Sequence, residues 1–247
     1  MKIVPILDIP MRAVNKLRRI LYPKDSFLKS VPGVIHVGAS IGQEREHYAS
    51  HGLNVVWVEP IPSVFEDLRS NISGFANQRA FCCLLAAEFG KEYTFHISSN
   101  EGQSSSILDL AKHREIWPDI QFTGEIHLTA TTLAQLIDTE QIDLRGYGAL
   151  VLDTQGSELL VLRGAIPVLK WFRFIKVEVA DFEAYAGCCQ LVELTEFMRQ
   201  YGFVLSRKDP FAATQDGSGR YYDVLYRRRW LDVIPTVSML SGHTAAR

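Results

Sequence analysis

Short apolar runs alternate with helix-forming segments near the start of the chain, and this alternation strongly constrains the fold. Residues 34–37, 54–58 and 78–86 are apolar enough to be buried strands. Residues 43–51 and 64–71 lie between them and have the length and composition of helices. Strands that are joined in succession by helices run parallel. The pattern therefore predicts a parallel sheet that is covered by helices on both faces.

The same alternation returns in the second half of the chain, after a polar segment. Residues 91–97 indicate an extra strand, and residues 98–125 are rich in serine and glycine, with a short helix expected at 106–113. The later elements are predicted as helices at 131–139, 158–163 and 190–201 and as strands at 149–152, 174–179, 203–208 and 221–227. The last two strands leave no room for a covering helix, so they should form an antiparallel hairpin. We expect an α/β, Rossmann-like fold with a mostly parallel seven-stranded sheet and a C-terminal antiparallel hairpin.

The composition is that of one globular domain. The chain has 247 residues, of which 47% are hydrophobic, and a formal net charge of -2. This charge provides no global basic field for nucleic acid, and no apolar run approaches the roughly 18–20 residues of a membrane span. We divide the chain into an N-terminal helical cap at 1–33, a main domain at 34–229 and a tail at 230–247.

Residues 11–21 alternate basic and apolar positions at helical spacing. We expect a helix that packs on the domain, and weak peripheral contact with a membrane surface is the open alternative. The four cysteines form two adjacent pairs without the spacing of a metal site: Cys82 with Cys83, and Cys188 with Cys189. In a chain without a secretory signal they indicate reduced thiols and a cytoplasmic location. The oligomeric state stays open.

A glycine turn follows the first predicted strand in the segment VIHVGASIG. Gly38 and Gly42 let the backbone approach a ligand where a helix N-terminus offers free N–H groups, although a plain tight turn uses the same glycines. Glu59 ends the second strand, 21 residues after Gly38. An acid at this place accepts the hydroxyl hydrogens of an adenosine ribose. The turn and the acid together predict a site for an adenosine cofactor.

The sequence of the turn distinguishes between adenosine cofactors. Dinucleotide-binding loops have the pattern G-x-G-x-x-G, whereas this turn is G-A-S-I-G, with Ser40 in place of the second glycine. The chain has no phosphate-binding P-loop pattern either. A cofactor without phosphates fits better, so we predict S-adenosylmethionine, with its amino-acid end over the turn. The residues predicted to bind it are His36, Gly38, Ala39, Ser40, Gly42, Glu59 and Asp153.

Five segments together resemble the FkbM-type methyltransferases: VIHVGASIGQE, WVEPIPSVFEDLRSN, SNEGQSSSIL, LVLDTQGSELLVLRGA and KVEV. The resemblance runs from about Val34 to about Tyr226, and residues 153–165 are its most specific part. It implies a class I methyltransferase fold and transfer of a methyl group from S-adenosylmethionine to a hydroxyl of a glycan sugar or a natural product such as a macrolide. The chain departs from the family pattern at His36, where many members have Asp, and at Val151, where many have Lys.

Two carboxylates are candidate catalytic groups. Asp153 follows the strand at 149–152, and ligands bind at the carboxyl ends of such strands. It is therefore the candidate general base or acceptor-orienting acid, with capping of the next helix as the alternative. Glu178 lies in an otherwise apolar strand, where a carboxylate is costly unless it is paired or belongs to a site. A partner such as Lys176 or Arg173 is the structural alternative for Glu178.

A polar loop is the candidate segment for binding the methyl acceptor. Gln103, Ser104 and Ser105 have hydrogen-bonding groups for a polyhydroxylated molecule, with a flexible surface loop as the alternative. His113 and Trp117 lie just beyond this loop, and Trp117 has either a sugar-stacking or a core role. No Asp-Asn or Asp-Asp pair that includes Asp153 is visible, so we expect no required metal ion.

The sequence is consistent with three functions. The first is O-methylation of a hydroxyl on a sugar or glycan intermediate. The second is O-methylation of a polyketide- or lipid-type secondary metabolite, and the third is a cofactor-binding module without catalysis. The expected partner is a small-molecule or glycan acceptor with a hydroxyl, rather than nucleic acid.

Overall fold

A seven-stranded sheet forms the centre of the computed structural model, which describes residues 25–229. The strands along the chain are β1 (Gly33–Val37), β2 (Asn54–Val58), β3 (Gln78–Phe81), β4 (Leu84–Leu85), β5 (Glu92–Ser98), β6 (Phe122–Thr131), β7 (Ala149–Leu152), β8 (Phe174–Ala180), β9 (Phe203–Ala213) and β10 (Arg220–Arg228). The α-helices are Arg45–Ser50, Pro62–Asn71, His113–Ile116, Leu133–Thr139, Glu158–Gly164 and Leu191–Gln200. The helix predicted at 11–21 and the tail at 230–247 lie outside the described residues.

The main sheet has the spatial order β3-β2-β1-β7-β8-β10-β9. Its first five strands run parallel, whereas β10 is antiparallel to both β8 and β9. Every residue of β1 and β7 is buried, because helices cover a central parallel strand on both faces. The predicted α/β fold, with its mostly parallel seven-stranded sheet and C-terminal antiparallel hairpin, is confirmed.

Alternate residues of the strands belong to two separate cores. Ile35 and Val37 of β1 face a core that contains residues of the helices Leu133–Thr139, Glu158–Gly164 and Leu191–Gln200. Val34 faces the opposite core, where helix residues pack together with Phe27 and Leu28 of the short 3-10 helix Ser26–Ser30. This period of two places successive side chains of one strand on opposite faces of the sheet.

A second, three-stranded sheet differs from the expectation. The predicted strand at 78–86 is broken after Phe81, and β4 leaves the main sheet to pair with β6. β6 pairs antiparallel with β5, and its residues begin in the predicted polar segment at 98–125 and continue through 126–130, which the sequence pattern left unassigned. Ala130 is the one fully buried residue of β6, so this strand has no continuous apolar run. The short helix expected at 106–113 instead lies at His113–Ile116.

Strand order reverses at β1, which has β2 on one side and β7 on the other. Ligands of open α/β sheets bind in the crevice outside the carboxyl ends of strands at such a reversal. Gly38 directly follows β1, and Asp153 directly follows β7. A Cβ on Gly38 would lie 1.7 Å from the carbonyl oxygen of Asp153, and the φ angle of Gly38 is +79°. Glycine is therefore required here by the backbone packing of the two strand ends.

Candidate active site

A cleft of about 420 Å³ lies at the carboxyl ends of β1, β2 and β7. This volume is in the range of small-molecule and cofactor sites. The cleft is lined by most of the predicted site residues, namely His36, Gly38, Ala39, Ser40, Glu59, Gln103, Ser104, Ser105, Asp153 and Glu178. Gly42 does not line it. A Cβ on Gly42 would lie 2.7 Å from Cδ1 of Leu68, so this glycine lets the turn pack on the helix Pro62–Asn71.

The carboxylate of Glu59 fixes the shape of the glycine turn. Ser40 has a positive φ of 46°, which is uncommon for a residue with a side chain. The backbone N–H of Ser40 donates to Oε2 of Glu59 at 2.9 Å, and the N–H of Ile61 donates to Oε1 at 2.9 Å. The acid that the sequence predicts for ribose binding thus also has a structural role.

Burial governs the charge of Glu59, which is 4% exposed. Burial raises the pKa of this carboxyl to about 7, while the backbone N–H bonds from Ile61 and Ser40 lower it and the negative charge of Asp153 raises it further. A ligand that donates hydrogen bonds to the carboxylate favours its ionised form. Binding of such a ligand should therefore be coupled to release of a proton near neutral pH.

Asp153 lies in a chain of hydrogen bonds that fixes its carboxyl group. Gln155 donates from Nε2 to Oδ1 of Asp153 at 2.6 Å, and Tyr185 donates its hydroxyl to Oε1 of Gln155 at 2.7 Å. Gln155 has a φ of 53°, and the left-handed turn continues at Gly156. Neither Gln155 nor Tyr185 is predicted from the sequence. The position of Gln155 two residues after Asp153 is a local sign that the two side chains could interact. The sequence around Tyr185 gives no such sign.

The environment of Asp153 makes its carboxyl a weaker acid than usual. Burial raises the pKa to about 6, the hydrogen bond from Gln155 lowers it, and the negative charges of Glu44 and Asp223 raise it. Lys176 lowers the pKa by a smaller amount. The group is therefore mostly ionised at neutral pH, yet it is a stronger base than an exposed aspartate.

Glu178 also lines the cleft, on β8. Burial raises its pKa well above the ordinary value, and the nearby charges of Asp153 and Glu158 raise it further. Lys176, the partner considered from the sequence, instead forms ion pairs with Asp25 at 3.4 Å and Asp223 at 4.0 Å. The raised pKa favours the protonated form of Glu178, which is suited to donating a hydrogen bond rather than accepting a proton.

His36 is buried on β1 and has protein partners. Its Nδ1 is 3.2 Å from the hydroxyl of Tyr48, and its ring stacks on that of Trp57 at a centroid distance of 5.1 Å. Burial lowers the pKa of the imidazole to about 4, so the ring is neutral. These contacts give His36 a structural role on β1. Its contact with a cofactor stays a prediction.

The polar loop after β5 has an internal hydrogen-bond network. Oγ of Ser105 accepts from the N–H of Ser98 at 2.9 Å, and Oγ of Ser104 accepts from the side-chain amide of Asn100 at 3.0 Å. These two serines therefore maintain the shape of the loop, whereas Gln103 is exposed. The binding of an acceptor by Gln103, Ser104 and Ser105 stays a prediction.

Residues 36–205 match the model of the methyltransferase FkbM domain. The chain belongs to the FkbM methyltransferase family. The resemblance predicted from the sequence is confirmed, and with it S-adenosylmethionine as the methyl donor. No curated protein sequence matches this FkbM protein.

Solved structures resemble the FkbM protein in general fold. One is magnesium protoporphyrin IX methyltransferase from Synechocystis with bound S-adenosylmethionine, at 12% identity and a TM-score of 0.47, with 88% of this chain and 79% of that chain covered. Another is the 1,6-didemethyltoxoflavin-N1-methyltransferase of Burkholderia thailandensis, at 12% identity and a TM-score of 0.42, with 92% and 93% covered. A candidate RNA methyltransferase from Pyrococcus horikoshii has 10% identity and a TM-score of 0.43, with 91% and 86% covered. These distant likenesses carry no information on the acceptor.

The charge of the cleft suits this methyl donor. Its lining includes the carboxyl groups of Glu44, Glu59 and Asp153, and within residues 25–229 no lysine or arginine lines it. S-adenosylmethionine carries a sulfonium and an ammonium group against one carboxylate, so its net charge is positive. In a partly buried site such opposite charges attract more strongly than in water.

The described part of the FkbM protein has neither a cluster of metal ligands nor a membrane-spanning helix. Between residues 25 and 229 no group of three or more His, Cys, Asp and Glu side chains is placed to hold a metal ion. The expectation that no metal is required stays a prediction. No helix in the same region is long and apolar enough to cross a membrane. The four cysteines are free.

Glu158 maintains the loop that carries Asp153. Its Oε1 accepts from the N–H groups of Thr154 at 2.9 Å and Gly156 at 3.1 Å. Burial raises the pKa of Glu158 to about 7, and the charge of Asp153 contributes to this increase. Glu158 thus stabilises the loop that precedes its own helix.

The Glu158→Gln protein should gain stability relative to the wild type as the pH rises. A raised pKa means that Glu158 contributes stability in its protonated form, and this contribution is lost as the pH rises through about 7. The amide oxygen of glutamine still accepts both N–H groups and has no charge to bury. Between pH 5 and pH 8 we expect a relative gain of roughly 2 kcal/mol.

Thermal or urea unfolding of the two cofactor-free proteins at both pH values measures this difference. The comparison removes the opposing effect of buried His36 and His113, whose lowered pKa values cost stability as the pH falls. Exposed Glu66, changed to Gln, is the matched control and should show no pH-dependent gain. A constant difference between wild type and Glu158→Gln would contradict the assignment.

Proposed function

We propose that this chain methylates a hydroxyl of an uncharged sugar or glycan intermediate, with S-adenosylmethionine as the donor and Asp153 as the general base. The observation that supports it best is the buried carboxyl of Asp153. It lines the cleft at a strand end, is fixed by Gln155, and has a pKa of about 6. A base with a pKa near the operating pH is effective in general-base catalysis.

The residues of the cleft fit the methyl donor. Each oxygen of Glu59 accepts one backbone N–H and has a second lone pair, so the carboxylate has the capacity to bind both hydroxyls of the ribose. Oγ1 of Thr154 is buried without a hydrogen-bond partner among the described residues, and Thr154 lines the cleft. The amino-acid end of the donor offers polar groups of the kind that such an atom needs.

The chemistry requires little from the protein beyond position and proton transfer. When bound, S-adenosylmethionine would supply a methyl group on a sulfonium, whose carbon–sulfur bond would break with its electron pair passing to sulfur as the carbon–oxygen bond forms. Asp153 accepts the proton of the acceptor hydroxyl and later releases it to water. Gln155 and Tyr185 hold the carboxyl in one orientation, which contributes to alignment.

The acidic lining favours an uncharged acceptor over a phosphorylated one. The lining has the carboxylates of Glu44, Glu59 and Asp153, and no lysine or arginine of residues 25–229 lines the cleft to offset them, so a phosphodiester would be repelled. Nucleic acid is therefore the less favoured acceptor, although one structurally similar protein is a candidate RNA methyltransferase.

Release of S-adenosylhomocysteine from S-adenosylmethionine tests the proposed function. The acceptors are neutral methyl glycosides, a macrolide aglycone and a short RNA, and the assay contains a chelator because no metal requirement is expected. We expect turnover with a glycoside. Turnover confined to the aglycone or the RNA would overturn the acceptor class, and turnover that needs added magnesium would overturn the metal expectation. Tight binding of S-adenosylhomocysteine without turnover of any acceptor would instead favour a scaffold.

A further inference from the structure

Two buried side-chain polar atoms lack a hydrogen-bond partner among residues 25–229, and both belong to residues that line the cleft. They are Oγ1 of Thr154 and Nε2 of His113. A buried polar atom without a partner costs about 1–3 kcal/mol, so native structures rarely keep one without a reason. A ligand in the cleft would remove this cost. Thr154 follows Asp153, whereas His113 begins a different segment, the helix His113–Ile116.

The imidazole of His113 is fixed by its neighbours. Its Nδ1 lies 2.7 Å from the hydroxyl of Tyr221. Its ring lies 4.6 Å from that of Trp117 and 5.0 Å from that of Tyr185, measured between centroids. The side chain is 3% exposed, so packing leaves it little freedom to turn. Nε2 is therefore held in place for a partner that the protein itself does not supply.

The protonation state of His113 determines which chemical groups can form a hydrogen bond with Nε2. Burial lowers the pKa of His113 to about 4, so the ring is neutral near pH 7. A neutral imidazole has one nitrogen that donates and one that accepts, and the bond to Tyr221 leaves either role for Nε2. A hydroxyl suits both cases because it donates and accepts. A carboxylate or phosphate would find at most one N–H, beside a cleft already rich in carboxyl groups.

Two aromatic side chains extend this part of the cleft. Trp117 and Phe211 both line it, and their rings lie 5.3 Å and 5.8 Å from that of Tyr221. Phe211 is 45% exposed, which is high for a large apolar side chain. The apolar C–H face of a pyranose ring would cover such surfaces.

A β-bulge places Phe211 at the cleft. In the pairing of β9 with β10, Tyr221 lies opposite Ala212 and Tyr222 lies opposite Pro210, so Phe211 is the extra residue. Bulges of this kind change the direction of a side chain and are frequent beside active sites.

We propose that His113, Trp117 and Phe211 form the acceptor subsite of the cleft, where Nε2 of His113 binds a hydroxyl of a pyranoside and the two aromatic rings cover its C–H face. The inference rests on the proposed function, because it names where the acceptor of that reaction lies. Tyr221 is a positioning residue in this arrangement, since it acts on the acceptor through His113.

Two variants of His113 test the roles of its two ring nitrogen atoms separately. Asparagine places a polar atom near the position of Nδ1, so His113→Asn preserves the partner of Tyr221 and removes Nε2. Glutamine reaches further, so His113→Gln supplies a polar atom near the position of Nε2. Phe211→Ala removes the exposed ring, and Phe89→Ala is its matched control because Phe89 is 72% exposed and does not line the cleft.

Saturation-transfer NMR with a panel of methyl glycosides, in the presence of saturating S-adenosylhomocysteine, tests the subsite. We expect binding to the wild type and Phe89→Ala, a loss of at least tenfold in affinity for His113→Asn and Phe211→Ala, and a smaller loss for His113→Gln. Calorimetry should give an unchanged affinity for S-adenosylhomocysteine in every variant.

The possible failures have different meanings. Glycoside binding that is equal in the wild type, His113→Asn and Phe211→Ala would overturn the subsite. Absence of glycoside binding by a wild type that binds S-adenosylhomocysteine would overturn it too. A wild type that binds no S-adenosylhomocysteine would contradict the proposed function itself, and calorimetry detects this before any glycoside is added.

Discussion

The Asp153→Asn protein should lose methyl transfer by a factor of roughly 10²–10⁴, the usual contribution of a positioned general base. Asparagine retains an oxygen that accepts the hydrogen bond from Gln155, so the geometry of the cleft should persist. The substitution also removes a negative charge from a buried group of carboxyls, which should not weaken folding. Affinity for S-adenosylhomocysteine should stay within a few-fold of the wild type.

Single-turnover release of S-adenosylhomocysteine measures the loss of methyl transfer. Asp67→Asn is the matched control, because Asp67 is an exposed acid on the helix Pro62–Asn71. In the wild type the rate should fall as the pH drops below about 6, since Asp153 must be ionised to accept a proton. Asp153→Asn should lack this dependence. Near-normal turnover by Asp153→Asn would remove Asp153 from the role of general base.

The Glu59→Gln protein should bind S-adenosylhomocysteine roughly 100-fold more weakly, or worse, because hydrogen bonds to a charged group contribute about 1.5–3 kcal/mol each. Both oxygens of Glu59 accept a backbone N–H, one from Ser40 and one from Ile61. The amide group of glutamine would face one of these donors with a donor of its own. The variant should therefore lose hydrogen bonds to the ribose, and the glycine turn should be less well fixed because one backbone N–H loses its acceptor.

Calorimetry with S-adenosylhomocysteine measures the loss, and Glu66→Gln is the control, since Glu66 is exposed and pairs with Arg69. Circular dichroism should show that Glu59→Gln remains folded. For the wild type, the binding enthalpy in buffers of different ionisation enthalpy should reveal proton release near pH 7, because the pKa of Glu59 is about 7. Unchanged affinity in Glu59→Gln would refute the ribose assignment.

Much of the main sheet could be predicted from local sequence. A buried parallel strand must be apolar on both faces, so β1, β2 and β7 are visible as short apolar runs between helix patterns. β6 could not be predicted in this way. It lies in a small sheet and has one fully buried residue, so it lacks the continuous apolar run that marks the central strands.

The residues of the cleft could likewise be predicted from the sequence only in part. Glu59 and Asp153 were predicted because each directly follows a strand, and the ends of neighbouring parallel strands meet at one edge of a sheet. Tyr185 had no such signal, because its role depends on a contact with Gln155 that is 30 residues distant in the chain.

The sequence by itself determined the order and type of most elements, the family, and the acids at the strand ends. These depend on residue type and short-range spacing, which are visible without coordinates. Only the tertiary structure decided that Glu59 holds the glycine turn and that Gln155 orients Asp153. It also decided that a tyrosine 108 positions away binds His113. Burial, pKa and hydrogen-bond partners depend on which distant segments pack together, and the linear order of residues does not specify those contacts.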